Sequence, residues 1–323
     1  MDKKLIVSSS PHIGARTKTR NIMLDVIIAL IPALIASVII FGPRTLVVTC
    51  ATVAACVLAE YICRKVMKRD NTVGDLSAIV TGMLLSFNLP SGIPIWIAVL
   101  GGVIAIVVVK QMFGGLGQNF VNPALAARII LMTSFPTAMT TWPAPMASGA
   151  DAVTTATPLA MIAAGNGSDV PGYLDLFLGL RGGCLGETCI LALLIGGIYL
   201  VIRKVISPLI PVIYIAVVAA FSAILGQDPL TQILTGGLFL GAVFMATDYV
   251  TSPLTNKGKI IYAIGCGILT VLIRTYASLP EGVSFSIILM NILTPHIERL
   301  TTPKAFGVKK AEKAMADKGK GAA

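Results

Sequence analysis

The stretch "NIMLDVIIALIPALIASVIIF" (21–41) carries a single charged residue, Asp25. A helix of about 20 apolar residues crosses the hydrocarbon core of a bilayer, so this stretch predicts a membrane span. The rest of the chain agrees, because 55% of the 323 residues are hydrophobic and only 12% are charged. Soluble domains carry about 25% charged residues. This chain has too few charges to cover a surface that faces water.

Ten apolar stretches predict an all-α polytopic membrane protein. Two of them, 76–90 and 121–134, are short and interrupted by Gly or Pro, which is typical of segments that line a cavity or a site. The ten predicted spans are 21–41, 44–63, 76–90, 93–110, 121–134, 187–203, 208–225, 230–247, 259–275 and 284–298.

The basic residues predict the orientation of these spans. With the N-terminus in the cytoplasm, 21 of the 25 Lys and Arg residues fall on the cytoplasmic side, whereas Arg44, Arg181 and Arg274 fall outside and Arg128 lies within a span. This distribution follows the positive-inside rule and explains the net charge of +10 without nucleic acid. Both termini are then cytoplasmic, and no apolar core of a signal peptide precedes the first span.

Two similar stretches predict an internal repeat. "AIVTGMLLSFNLP" (78–90) and "QILTGGLFLGAVF" (232–244) share a Thr-Gly pair after an apolar pair. They fall on the third span of each half, and two halves of five spans insert with opposite orientations. The predicted organisation is a cytoplasmic N-terminus, a first membrane half, an extracytoplasmic loop, a second membrane half and a cytoplasmic tail, at 1–20, 21–134, 135–186, 187–300 and 301–323.

Polar residues at membrane depth are the candidates for an ion or cofactor cavity. "KQMFGGLGQNFVNPALAAR" (110–128) carries Asn119 and Asn122, and is either a break packed against protein or a half-helix end that lines a cavity. Charges within spans are costly and often functional. Arg128 needs a partner or an anion, and Asp248 is either a cap or part of a cation path. Asp25 and Glu60, near cytoplasmic ends, are expected to reach water.

Catalysis of the kind found in soluble enzymes is not supported by the sequence. It has no P-loop, no dinucleotide-binding glycine pattern and no H-E-x-x-H, and its six cysteines form no C-x-x-C pair. The two histidines, His12 and His296, are isolated, so neither a metal site nor a His-dependent catalytic triad is predicted. Any chemistry must be attached to the chain or shared with partners.

The polar stretch "SGADAVTTATPLAM" (148–161) lies in the long connection 135–186. Its hydroxyl groups can satisfy local turns, or an exposed loop can offer a threonine to another enzyme, since a Thr hydroxyl alone is a poor nucleophile. Residue physics alone favours the plain polar loop.

The same stretch carries a resemblance to a known family. "DAVTTATPL" (151–159) resembles the flavinylation motif D-x-x-[ST]-G-A-T of the D subunits of Rnf complexes and of the related B subunits of sodium-translocating NADH:quinone oxidoreductases. By this resemblance a flavin transferase moves FMN from FAD onto Thr157, and Asp151, Thr154 and Ala156 complete the motif. Thr155 departs from it, because Gly is usual there. Other similar stretches are 80–96, 113–128, 186–200, 244–267 and 279–291.

The resemblance implies a protein that is active only within a complex of the bacterial or archaeal cytoplasmic membrane. An Rnf complex couples electron transfer between ferredoxin and NAD to Na⁺ or H⁺ translocation. This chain would carry covalent FMN outside the membrane as an electron relay, and the resemblance allows a second, non-covalent flavin, riboflavin. Its partners would be Rnf subunits with iron–sulfur and flavin centres, the transferase and membrane lipid. Its ten spans would resemble the inverted repeat of urea and ammonium transporters.

Three alternatives remain open at the level of the sequence. The chain could be the B subunit of the quinone oxidoreductase, a solute channel of the urea/ammonium type without a redox role, or a structural scaffold subunit. Covalent flavin separates the redox interpretations from the channel. The choice between Na⁺ and H⁺ has no signature in the sequence, since no carboxylate-rich cage selects one of them.

Overall fold

The apolar stretches fold as helices, because a backbone surrounded by lipid must satisfy its hydrogen bonds within the segment. A computed structural model describes residues 18–145, 154–164, 170–277 and 282–303. The helices of these residues are α1 Thr19–Phe41, α2 Arg44–Val66, α3 Ser77–Phe87, α4 Ile95–Gln111, α5 Pro123–Ser134, α6 Pro136–Met139, α7 Pro158–Ala163, α8 Tyr173–Leu178, α9 Ile190–Ile202, α10 Leu209–Ile224, α11 Pro229–Leu234, α12 Leu238–Leu240, α13 Asn256–Tyr276 and α14 Val283–Thr301.

Two of the helical segments depart from α-helical hydrogen bonding. The second part of α4, Ile104–Gln111, is π-helical, and a π-helical turn at Gly241–Met245 continues α12. In the second segment the Ala246 amide donates to the Gly241 carbonyl at 2.7 Å. π-Helical turns are rare and often occur at functional sites.

Three helices, α1, α2 and α13, are long and apolar enough to cross a membrane by length and composition. Shorter apolar helices are α3, α4, α5, α9 and α10. Each of the ten predicted spans overlaps a helical segment of the described residues. The predicted span 230–247 is interrupted between α11 and α12, where Gly236 has a φ of +65°. The all-helical prediction is therefore confirmed for the part of the chain that the structure describes.

Helix packing joins the two halves of the chain. Helix α1 packs against α9, and α5 packs against α14, while α2 contacts both α3 and α4, and α10 contacts α13. The approach of α1 to α9 depends on Gly196, where an added Cβ would lie 2.1 Å from the Ala29 carbonyl oxygen. Small residues permit such close backbone contact between membrane helices.

The two Thr-Gly pairs of the predicted repeat share one local contact and differ in another. Thr81 donates to the Ser77 carbonyl and Thr235 to the Thr231 carbonyl, at 3.0 and 2.6 Å. Gly82, however, lies inside the continuous helix α3, whereas Gly236 lies in the break. The inverted five-helix repeat and the transporter-like architecture stay predictions.

Candidate functional site

Thr157 occupies the N-cap position of α7. Its Oγ1 accepts a hydrogen bond from the Ala160 amide at 3.2 Å, and Pro158 follows at the first helical position. Threonine is a favoured N-cap residue and proline a favoured first residue, so "TATPLAM" folds locally as a helix start. The Thr157 side chain is 6% exposed. The helix start therefore fixes this hydroxyl in one position.

A cavity of about 320 Å³ lies beside the Thr157 side chain. The Thr155 amide donates to the Trp142 carbonyl at 2.9 Å, and Thr154 forms an isolated bridge with Pro143, so the segment before α7 is held against residues 141–143. The Thr155 Oγ1 is shielded from solvent and has no hydrogen-bond partner among the described residues. The cavity is lined by Thr140, Thr141, Trp142, Thr154, Thr155, Ala156, Thr157 and Ala160. Asp151, the first residue of the motif, lies outside the described residues.

A second cavity, of about 100 Å³, lies where α1, α3 and α5 begin and α4 and α9 end. Asn119, Asn122 and Asp248 all line it, so three of the four candidate cavity residues meet at one place. Asn122 also caps α5, because its Oδ1 accepts from the Ala124 amide at 3.1 Å. Asp248 accepts from the Thr251 hydroxyl at 3.1 Å. Asn122 therefore both caps a helix and lines the cavity, and a role of these side chains in an ion path stays a prediction.

Arg128 lies elsewhere, in a polar cluster inside the protein. Its guanidinium group donates to Asn88 Oδ1 at 2.6 Å and to Ser284 Oγ at 3.0 Å, and lies 3.8 Å from the Glu187 carboxylate. It also donates to the Cys184 sulfur at 3.3 Å. Arg128 and Glu187 are 2% and 3% exposed. The prediction that Arg128 needs a partner is confirmed, and the partners named here come from three separate parts of the chain, since Cys184 and Glu187 belong to one segment.

Arg181 continues this cluster on the side of the loop. It donates to the backbone carbonyls of Glu187 and Gly236 at 3.1 and 3.4 Å. Burial lowers the pKa of the Arg181 guanidinium to about 10, although the neighbouring Glu187 carboxylate opposes this shift. A guanidinium with a pKa of about 10 stays charged at neutral pH. Arg181 therefore joins the loop before α9 to the break between α11 and α12.

The expectation for Glu60 is wrong. Its side chain is fully buried and forms an ion pair with Lys110, whose ammonium lies 2.9 Å from Glu60 Oε2. Lys110, counted with the cytoplasmic positive charges by its position at the end of a span, is 2% exposed. Both residues lie near the ends of their helices in the sequence, but the rotation of α2 and α4 about their axes turns both side chains into the space between the two helices. The sequence feature that could have indicated this pair is an acid and a base within separate apolar stretches.

Asp25 is paired as well. It accepts a hydrogen bond from the Tyr199 hydroxyl at 2.9 Å and another from Arg203 at 3.4 Å.

Among the described residues, no group of three or more His, Cys, Asp and Glu side chains is placed to hold a metal ion. All six cysteines are free thiols, and three of them, Cys56, Cys184 and Cys266, are buried.

Sequence comparisons identify the family. A family model described as the NQR2, RnfD, RnfE family matches residues 6–307. The chain belongs to this family. Its members include the D subunit of the Na⁺-translocating ferredoxin:NAD⁺ oxidoreductase complex of Acetobacterium woodii, which is 53% identical over 96% of this chain and 97% of that protein. Family membership and the apolar helices together indicate a membrane protein.

Of two further members of the NQR2, RnfD, RnfE family, one is named for proton translocation and the other for ion translocation with no ion specified. The D subunit of the proton-translocating ferredoxin:NAD⁺ oxidoreductase complex of Clostridium ljungdahlii is 44% identical, over 94% of this chain and 96% of that protein. The D subunit of the ion-translocating oxidoreductase complex of Escherichia coli is 33% identical, over 94% and 99%. The similarity covers nearly the whole length of each protein.

Proposed function

We propose that this chain is the D subunit of an Rnf-type complex that couples ferredoxin:NAD⁺ electron transfer to ion translocation. The observation that carries the proposal is Thr157, held at a helix start on the wall of a cavity, in a family whose members are named as such subunits. The other subunits supply iron–sulfur centres and the sites for ferredoxin and NAD⁺. The chain alone does not catalyse electron transfer from ferredoxin to NAD⁺.

Thr157 is the proposed attachment point for FMN. The adjoining cavity of about 320 Å³ falls within the usual size of cofactor sites, and the Thr157 Oγ1 uses one lone pair on Ala160 while keeping its proton. The residues therefore fit the group. A flavin transferase would join Thr157 Oγ1 to the FMN phosphorus of FAD, with release of AMP and of the hydroxyl proton.

The residues around Thr157 hold and shield the proposed FMN. Bound FMN supplies one-electron transfer at a potential that nearby charges and hydrogen bonds adjust. The Trp142 side chain, 6% exposed, forms an apolar wall that limits water access. The Thr155 hydroxyl, which has no partner among the described residues, offers a donor that the Gly of the usual motif lacks. Asp151 and Thr154 belong to the segment that the transferase reads.

The second cavity is proposed as the start of the ion path. Asn119 and Asn122 bring amide groups to it, and Asp248 brings a carboxylate; such oxygen groups suit a hydrated monovalent cation or a proton relay. The two asparagines and Asp248 come from opposite halves of the chain. A volume of about 100 Å³ is below that of ordinary cofactor sites. This cavity is therefore too small for riboflavin.

The proposed orientation places the second cavity toward the cytoplasm and Thr157 outside, in line with the predicted positive-inside topology. Electrons that reach an outward-facing flavin cross the membrane through other cofactors of the complex. A cation that moves with them offsets this charge, which is the physical reason for coupling. The two halves of five spans are proposed as an inverted repeat.

Mass spectrometry of the peptide that spans 148–161 tests the flavin. Protein expressed with a flavin transferase should carry one FMN, less water, on Thr157, and the denatured protein band should fluoresce under ultraviolet light. Thr157→Ala should abolish both signals, whereas Thr155→Ala is the matched control and should keep them. A dark band from the wild type would refute the flavin-bearing role and favour the channel. Vesicle assays with NAD⁺ or quinone as acceptor separate the Rnf-type complex from the quinone oxidoreductase.

A further inference from the structure

A third cavity, of about 660 Å³, lies between α7, α11 and the C-terminal end of α13. Its volume falls within the usual size of ligand sites. Leu159 and Ile162 of α7 form an apolar wall, while Gln227, Arg274 and Thr275 bring polar groups to the opposite side. A cavity with one apolar wall and one polar wall suits a ligand that is itself amphipathic.

Arg274 is the only charged residue among the described residues that line this cavity. Its guanidinium donates to the Gln232 carbonyl at 2.7 Å and to the Thr235 carbonyl at 3.1 Å, and both acceptors are neutral. In the described part of the chain, no carboxylate oxygen lies within 4.0 Å of this guanidinium. A partly buried charge without an opposite charge is costly. An anion in the cavity would therefore stabilise Arg274.

Two polar atoms of the polar wall have no hydrogen-bond partner among the described residues. One is a donor, Arg274 Nε, and the other is an acceptor, Gln227 Oε1. The Gln227 side-chain nitrogen is engaged, because it donates to Thr275 Oγ1 at 3.1 Å. Both unpaired atoms are shielded from water and belong to side chains that line the cavity. A ligand with an anionic oxygen and a hydroxyl group would supply the missing acceptor and the missing donor.

The position of the cavity favours a lipid over a soluble anion. The cavity lies at the end of α13, a helix long and apolar enough to cross a membrane. Tyr276, which lines the cavity, is 73% exposed, and Ile224 and Leu230, which flank Gln227 in the sequence, are exposed as well. Tyrosine is enriched at the level of lipid headgroups, and basic pockets between membrane helices bind anionic headgroups. The exposed apolar side chains offer a surface for acyl chains.

We propose that this cavity binds the headgroup of an anionic phospholipid that carries hydroxyl groups, phosphatidylglycerol. The phosphate lies against Arg274 and Thr275, a headgroup hydroxyl donates to Gln227 Oε1, and the acyl chains lie along the ends of α10 and α13. In the proposed orientation this lipid belongs to the outer leaflet. Because α7 forms one wall of the cavity, the lipid also holds α7, and with it Thr157, against α11 and α13. The binding goes beyond the proposed function and requires neither FMN nor a coupling ion.

Photo-cross-linking in the intact complex tests the site. The complex is placed in nanodiscs of phosphatidylcholine with a sub-saturating amount of phosphatidylglycerol that carries a photoreactive acyl chain, and cross-linked peptides of this chain are quantified by mass spectrometry. Cross-links should concentrate on α10, α11 and α13. Arg274→Gln should lower their yield by about tenfold or more, because a charge-assisted contact is lost. Arg44→Gln, which removes an exposed arginine outside the cavity, is the matched control and should leave the yield unchanged.

Four results would overturn the proposal. Equal yields from Arg274→Gln and the wild type would remove the site, and equal labelling by photoreactive phosphatidylcholine would remove its preference for an anionic headgroup. Full suppression of the labelling by excess inorganic phosphate would assign the cavity to a free anion. Absence of cross-links on these helices in the wild-type complex would favour an acidic group of a neighbouring subunit as the occupant.

A second pair of variants covers the case in which Arg274→Gln does not fold, since Arg274 also holds the break between α11 and α12. Ala163→Trp leaves Arg274 in place and fills the cavity from α7, whereas Ala164→Trp adds the same side chain at the next exposed position, which does not line the cavity. Only the first variant should lower the labelling, and equal labelling of both would overturn the proposal. FMN on Thr157 is measured separately by mass spectrometry, so failure of the lipid site leaves the proposed flavin-bearing role untouched.

Discussion

Replacing Arg128 by methionine tests whether the buried polar cluster holds the centre of the molecule together. The variant removes a guanidinium that is 2% exposed and leaves the Glu187 carboxylate, 3% exposed, without the positive charge 3.8 Å away. Breaking a buried ion pair by removal of one partner costs about 3–5 kcal/mol. Arg181 donates to the Glu187 backbone carbonyl and not to its carboxylate, so its charge acts on Glu187 without replacing the close contact of Arg128. The free energy of unfolding should fall by that amount, measured by denaturant titration in detergent with tryptophan fluorescence.

Two further variants identify the cause of this loss. Arg128→Met/Glu187→Gln removes both charges and should recover about half of the stability or more, because the unpaired carboxylate is gone. Ser284→Ala removes one neutral partner of the guanidinium, at 3.0 Å, and should cost about 1 kcal/mol. If Arg128→Met stays within about 1 kcal/mol of the wild type, or if the second substitution adds a further loss, the reasoning is refuted.

The other predictions concern helix contact and helix capping. Gly196→Ala should destabilise the protein by more than about 3 kcal/mol, because its Cβ would lie 2.1 Å from the Ala29 carbonyl oxygen; Gly74→Ala, with no heavy atom within 4 Å, is the control, and thermal melting compares them. Asp228→Ala should cost about 1 kcal/mol by removing the N-cap of α11. Hydrogen bonds from Thr231 hold the pKa of Asp228 below its ordinary value. The stabilising contribution of Asp228 is therefore complete above the ordinary Asp pKa of about 3.9 and is lost as the pH falls through the lower folded-state pKa. Asp228→Asn should keep the cap and lose this pH dependence. A profile of melting temperature against pH that is the same in Asp228→Asn and in the wild type would contradict the assignment.

The helices were predictable from the sequence because a backbone in lipid must satisfy its hydrogen bonds within the segment, and a helix does so. α1 follows directly from 21–41, and the start of α5 from Asn122-Pro123, a side-chain cap followed by a residue suited to the first helical position. The helix start at Thr157-Pro158 has the same chemistry. These features are local, so a window of a few residues contains their cause.

The pairing of the buried charges was not predictable in this way. Glu60 and Lys110 lie 50 positions apart, and their meeting depends on how far α2 and α4 are rotated about their own axes. Arg128 likewise donates a hydrogen bond to Ser284, which lies 156 positions away in the sequence. The hydropathy of a stretch predicts that the stretch crosses a membrane. Hydropathy does not specify which of its side chains face a neighbouring helix. Helix packing decides that, and so it also decides which polar residues share a cavity.

The π-helical segments place a rare backbone geometry on both sides of the cavity between the halves. Lys110 lies in the π-helical part of α4, and Val243 and Phe244 lie in the π-helical turn after α12; all three line the cavity. A π turn contains one residue more than the hydrogen-bonding pattern of an α turn, and one residue of an α-helix corresponds to about 100° of rotation. Tightening either turn would therefore swing the residues beyond it around the helix axis by that angle. Each half of the chain thus contributes one π-helical wall, and the loss of one residue from either π turn would change the shape of the cavity from that side.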